Sequence, residues 1–276
     1  MRNRFATTTF AVTTAVVSAA VLSLFVVPGR GQTPTGYKAT RTADGRPDLN
    51  GIWQAVNTAN WDIQDHPARQ GPLIALGAAF SIQPGQGVVE GNEIPYRPDA
   101  LAKKKENAAN WLKLDPEIKC YLPGIPRATY MPYPFQIVQT PTTILMAYEF
   151  ASASRVIRMN SKEEAPVDSW MGWSVGRWEG DTLVVDVTGF NDQTWFDRAG
   201  NFHSDELHVV ERYTATSPQT LNYEVTLTDP KVFTRPWKMS MPLYRRAERN
   251  AQLLEYKCVE FVEELMYGHL RRQTGK

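Results

Sequence analysis

The chain has 276 residues, with 30 Lys and Arg set against 29 Asp and Glu for a formal net charge of +1. So even a balance offers no electrostatic case for nucleic acid or an anionic membrane surface as a partner. No Gly-x-Ser-x-Gly, phosphate loop, dinucleotide fingerprint or His-Glu-x-x-His occurs, so the common hydrolase, nucleotide and metalloprotease classes lack their required parts.

Arg2 and Arg4 precede an uncharged run from Phe5 to Val27 and then Pro28-Gly29-Arg30-Gly31. That order of charge, apolar run and small residues is the pattern of a secretory signal covering residues 1–31, with cleavage near Gln32. Because no Ala-x-Ala is present, an uncleaved anchor is the alternative. The expected destination is the periplasm or beyond. Loss of the signal removes three arginines and no acid, taking the net charge from +1 to −2. No second apolar run is long enough to span a bilayer, so the mature chain has no expected membrane span. Residues 32–47 read as a linker rich in Thr, Gly and Pro, and residues 48–276 as a single domain.

Asn50-Gly51 offers a turn into a first strand at Ile52-Trp53. Residues 54–97 lack sustained periodicity and are expected to be mostly loop. From Pro98 to Leu114 the composition predicts a helix with Asp99 as its cap. Prolines then punctuate residues 120–134 and forbid a helix interior there. Cys120 and Cys258, the only cysteines, show no metal-type spacing. They can form one disulfide closing a long loop, or stand as two buried thiols.

After Phe135 the pattern changes to strands. Residues 135–139 and 144–150 form an expected hairpin, and residues 155–159 and 182–187 alternate as further strands. The clearest pair is 207–214 with 221–228; runs at 232–243 and 253–261 extend the theme, and a helix near 259–270 covers one end. Turn signals between consecutive strands predict a mainly β fold: a single antiparallel, lipocalin-like barrel with peripheral helices, or alternatively a β-sandwich.

Within the clearest pair, apolar side chains share one face only if Val209 opposes Leu227, Glu211 opposes Val225 and Tyr213 opposes Tyr223. Glu211 then points inward. A buried carboxylate is either salt-bridged, here to an arginine such as Arg198 or Arg127, or protonated and poised as an acid. His208 lies on the opposite face. His203, in the loop before the strand, is the candidate proton-transfer residue, with Asp192 or Asp197 to fix its tautomer and Arg198 to clamp an anion. A metal set of His203, Asp205 and His208 would need a bend after Asp205, because residues five apart on one strand face opposite ways. Trp170, Trp173 and Trp195, with Tyr213, are candidates for lining an aromatic pocket; the alternative is that the tryptophans simply fill a barrel interior.

The strings Trp178-Glu-Gly-Asp-Thr-Leu-Val-Val-Asp186, Gly189-Phe-Asn-Asp192, Phe202-His-Ser-Asp-Glu-Leu-His-Val-Val-Glu-Arg-Tyr213 and Asp229-Pro-Lys-Val-Phe-Thr-Arg-Pro-Trp237 resemble a widespread family of exported, functionally uncharacterised bacterial proteins. The resemblance implies one exported domain and brings no activity with it. From the residues, the expectation is an exported protein that binds a hydrophobic or aromatic small molecule. It would need no cofactor or metal, and could turn its ligand over as a lyase, isomerase or hydratase. A non-catalytic carrier and a cell-envelope interaction protein are the alternatives.

Overall fold

The computed structural model describes residues 37–71, 77–78, 81–260 and 262–270. The expected signal segment and the start of the linker lie outside the described residues. Nine strands close one barrel in sequence order: β1 Gly51–Ala55, β2 Phe135–Gln139, β3 Thr143–Tyr148, β4 Ser154–Met159, β5 Trp173–Glu179, β6 Thr182–Thr188, β7 His208–Ser217, β8 Thr220–Thr228 and β9 Trp237–Arg245. The barrel is closed by β9 pairing with β1, which rules out the sandwich.

Strand alternation sets the interior. Leu183, Val185 and Val187 of β6, Val209 and Tyr213 of β7, and Leu221, Tyr223, Val225 and Leu227 of β8 are all buried. Burying a large apolar side chain of this kind contributes about 1.5–3 kcal/mol. The register expected between β7 and β8 is the observed one: Val209 opposes Leu227, Glu211 opposes Val225 and Tyr213 opposes Tyr223.

Several boundaries differ from expectation, each for a local reason. One pair departs from the antiparallel pattern: β4 runs parallel to β5, because the connection 160–172 returns the chain to the end at which β4 began, as a parallel pair requires. Strand β5 itself, rich in tryptophan, carried no clear alternation. Of the run expected at 253–261, residues 253–260 form no strand and Phe261 lies outside the described residues; with β9 already bonded to β1 the barrel has no free edge to receive them. Helix α1, Pro98–Ala109, starts on Pro98 without a side-chain cap, so Asp99 sits in its first turn rather than capping it. Short helices α2 Trp111–Leu114, α3 Arg127–Tyr130 and α4 Val262–Tyr267 complete the α-helices among the described residues, beside 3-10 turns that include Pro116–Lys119. None of the described helices is long and apolar enough to cross a membrane.

The pairings place the C-terminal end of β1, the start of β2, the end of β6 and the start of β7 at the same end of the barrel. The two longest insertions, 56–134 and 189–207, therefore meet there. Gly200 permits their close approach: its φ is +85°, and a Cβ would lie 2.5 Å from Ala108 N and 2.7 Å from Lys104 O on α1. The Cys120–Cys258 disulfide forms, over a sequence separation of 138. It ties the chain after β9, which runs back along the barrel, to this same end.

Candidate functional site

Glu211 faces the barrel interior, fully buried, and its partner is Arg155 rather than Arg198 or Arg127. Arg155 Nη1 and Nη2 donate to the two carboxylate oxygens at 2.6 and 3.1 Å, while the Tyr213 and Tyr223 hydroxyls donate to Oε1 at 2.9 and 2.7 Å. The guanidinium also reaches Met146 Sδ and the Tyr213 hydroxyl. Burial pushes both tyrosines well above their usual pKa, and the Glu211 charge adds to it. Burial alone would lower the Arg155 pKa, but Glu211 overrides it and holds the guanidinium charged. The buried Thr129 Oγ1 has no hydrogen-bond partner among the described residues.

His203 is buried between Phe190 and Phe196, with ring centroids 5.8 and 5.4 Å away. Its Nδ1 donates to the Ser204 carbonyl at 2.8 Å, which leaves Nε2 to accept from Thr194 Oγ1 at 2.6 Å. Burial lowers its pKa, against the smaller opposing effects of the Ser204 carbonyl, Asp229 and Asp192. Both ring nitrogens are thus engaged by neutral partners. Neither carboxylate expected to orient the ring bonds to it. Asp192 is exposed and accepts from Gln193 Nε2. Asp197 is buried and accepts from Ile63 N, Asn201 N and Asn201 Nδ2 at 2.9, 3.1 and 2.6 Å. Burial, aided by the charge of Asp62, raises Asp197 to about 7. Asp205 pairs with Lys231 and His208 with Asp186, so His203, Asp205 and His208 go to separate partners.

The tryptophans expected to line a pocket do not converge either. Trp170 stacks on Tyr121 at 4.9 Å, and Trp173 lies on the outer wall under the Arg158 guanidinium at 3.6 Å. Trp195 bridges to Phe202 in the loop before β7. Tyr213 alone of the expected pocket residues lies inside the barrel, in the Glu211 cluster.

Arg198 does join a site. Its Nε and Nη2 donate to Glu117 at 2.8 and 3.1 Å, and its backbone N–H donates to the Asn60 carbonyl. The guanidinium lies 4.5 Å from the ring centroid of Trp61 and 5.2 Å from that of Trp111, whose rings meet edge to face at 5.7 Å. Asn60, next to Trp61, also accepts from Arg127 Nε, and Arg127 makes a two-pronged pair with buried Asp115. Buried ion pairs hold position through such added hydrogen bonds. The Glu117 carboxyl is held low: burial pushes it up, but Arg198 and Arg127 together outweigh that.

A cleft of about 230 Å³ opens on this cluster, lined by Trp61, Asp62, Arg69, Lys104, Trp111 and Arg198 among others. Sequence reasoning missed Trp61, Asp62, Glu117 and Asp115 as site residues and saw Trp111 only as part of a helix. They come from loops and short turns, where no period marks a face. A weak signal was available in Asp115 and Glu117, acids two apart at the foot of a helix that the prolines close off. No family model, curated protein or solved structure matches the chain.

Proposed function

We propose that this is an exported binding protein for a single-ring aromatic carboxylate, held without turnover in the cleft formed by Trp61, Trp111 and Arg198. The observation that carries the reading is the edge-to-face pair of indoles with one guanidinium over both. Such a corner offers a planar ligand an aromatic wall and a fixed cation together. Spare positive charge favours an anion. Arg198 Nη1 donates no hydrogen bond and Lys104 has no ion-pair partner among the described residues, and Arg69 reaches Asp62 only at 3.5 Å. A volume of about 230 Å³ lies below the roughly 300–1,000 Å³ of drug-sized ligand sites, which favours one ring over several.

Export is supported by the charge and hydropathy order of residues 1–31 and by the disulfide, a bond suited to an oxidising compartment. Binding is favoured over turnover because His203 and Glu211, the acid/base candidates, are buried with their polar atoms already engaged.

Calorimetric titration with benzoate tests the reading. The expected Kd is about 10–1,000 µM, the range a ligand of that size allows, with at least tenfold weaker binding of benzamide. Arg198→Met and Trp111→Ala should each weaken benzoate at least tenfold, and Lys104→Ala by less. Chromatography of the mixture should return benzoate unchanged. Absence of binding, or equal affinity for benzoate and benzamide, would sink the proposal.

A further inference from the structure

We propose that the Cys120–Cys258 disulfide sets the affinity of the Trp61–Trp111–Arg198 cleft, with Glu117 as the positioning residue that carries the effect. The proposal rests on the ligand-binding reading of the cleft. After β9 the chain runs without regular structure to Glu260. Leu254 N donates to the Glu149 carboxylate. Beyond it, residues 255–260 make no backbone hydrogen bond to the barrel among the described residues. What secures this strap is the packing of Tyr256 against Tyr133 and Phe150, at 4.8 and 5.1 Å, and the covalent tie at Cys258.

The other end of the tie is close to the cleft in bonds as well as in space. Cys120 closes the 3-10 turn Pro116–Lys119 in a left-handed conformation, φ +62°, and its N–H donates to the Glu117 carbonyl at 3.0 Å. Such a left-handed conformation is disfavoured for a residue that bears a side chain, and the disulfide at Cys120 Sγ is the covalent restraint on the turn that carries Glu117. Glu117, three residues earlier, is the one carboxylate that pairs with Arg198 among the described residues. Arg198 is in turn the wall between two cavities. One is the ligand cleft; the other, about 270 Å³, is lined by Glu117, Tyr133, Tyr256 and Cys258 on the strap side. Strap, Cys120, Glu117, Arg198 and the two indoles therefore form an unbroken series of contacts.

Reduction by a dithiol such as dithiothreitol delivers two electrons and two protons, leaves Cys120 and Cys258 as thiols, and converts the reagent to its cyclic disulfide. Beyond Leu254 the strap then keeps the packing of Tyr256 but not its covalent tie, the Cys120 turn loosens, and Glu117 no longer fixes the guanidinium over the indoles. A disulfide that merely staples the chain would lower stability and leave Arg198 where it is.

The test uses the full protein and two readouts, exchange of the Arg198 Nε–H by NMR and benzoate titration. Reduction should accelerate Arg198 Nε–H exchange at least tenfold and weaken benzoate about tenfold. Glu117→Ala should reproduce both changes in the oxidised protein and leave nothing further for reduction to do, while Glu117→Gln, which keeps an acceptor oxygen, should recover part of each. Should the reduced protein unfold, Tyr256→Ala loosens the strap with the bond intact and should give a smaller change of the same sign. Unchanged Arg198 exchange in reduced protein, or in Tyr256→Ala where reduction unfolds the chain, overturns the coupling. So does reduction weakening benzoate equally in Glu117→Ala and wild type. If benzoate binds no form of the protein, the cleft reading fails and Arg198 exchange alone decides the coupling.

Discussion

Each hydrogen-bond partner of the buried Asp197 carboxylate is an N–H donor, from Ile63 and twice from Asn201. Those donors favour the ionised form, yet burial and the nearby Asp62 raise the group from its ordinary 3.8 to about 7. The sign of the stability effect follows. Below about pH 4 the carboxyl is protonated folded and unfolded and contributes nothing to the balance. Between about 4 and 7 the unfolded chain releases the proton while the folded protein keeps it, so stability falls by about 1.4 kcal/mol per pH unit; above 7 the loss is complete. Urea midpoints at pH 5 and pH 8 should therefore diverge more for the wild type than for Asp197→Asn, and parallel shifts in the two proteins would refute the assignment. Side-chain chemistry at this scale was only partly legible in the sequence. The sequence marks His203 for proton transfer and Asp197, with Asp192, as its possible orienter, but what each does is decided by Thr194, Ser204 and Asn201, whose placement depends on how the 189–207 loop folds.

Strand parity was far more readable, because a period of two leaves a single register that keeps apolar side chains together. It placed Glu211 inside and His208 outside, as observed. The same rule would have found the partner: Ile157 is buried on β4, so Arg155, two residues earlier, shares its inward face. The Arg155–Glu211 pair joins β4 to β7 across the barrel, between strands that share no backbone ladder. Removing one partner leaves the other charge buried and unpaired, so Glu211→Ala should cost about 3–5 kcal/mol, whereas Glu211→Ala with Arg155→Met should recover part of that loss. Equilibrium denaturation of the two variants checks this; a double variant no more stable than the single one would mean the cluster matters through packing rather than charge.

Over the whole molecule, the barrel was legible and the cleft was not, for one physical reason. A barrel is written in local alternation repeated along each strand. The cleft brings Trp61, Trp111, Glu117 and Arg198 together from two insertions that meet only because the strand directions bring them to one end. The disulfide spans the same gap in scale, linking the insertion before β2 to the strap after β9 across a separation of 138 residues. Cross-linking so long a loop removes unfolded-chain entropy equivalent to about 5 kcal/mol in the loop-closure model, an upper figure where the unfolded chain keeps residual structure. The bond encloses β2 to β9, so its effect belongs to global unfolding and not to the strap alone. Cys120→Ser with Cys258→Ser should lower the free energy of unfolding by about 3–5 kcal/mol while the far-ultraviolet circular dichroism of the barrel persists at low denaturant. A loss below about 1 kcal/mol would show that the strap detaches before the barrel unfolds and that the cross-link restrains only the C-terminal segment.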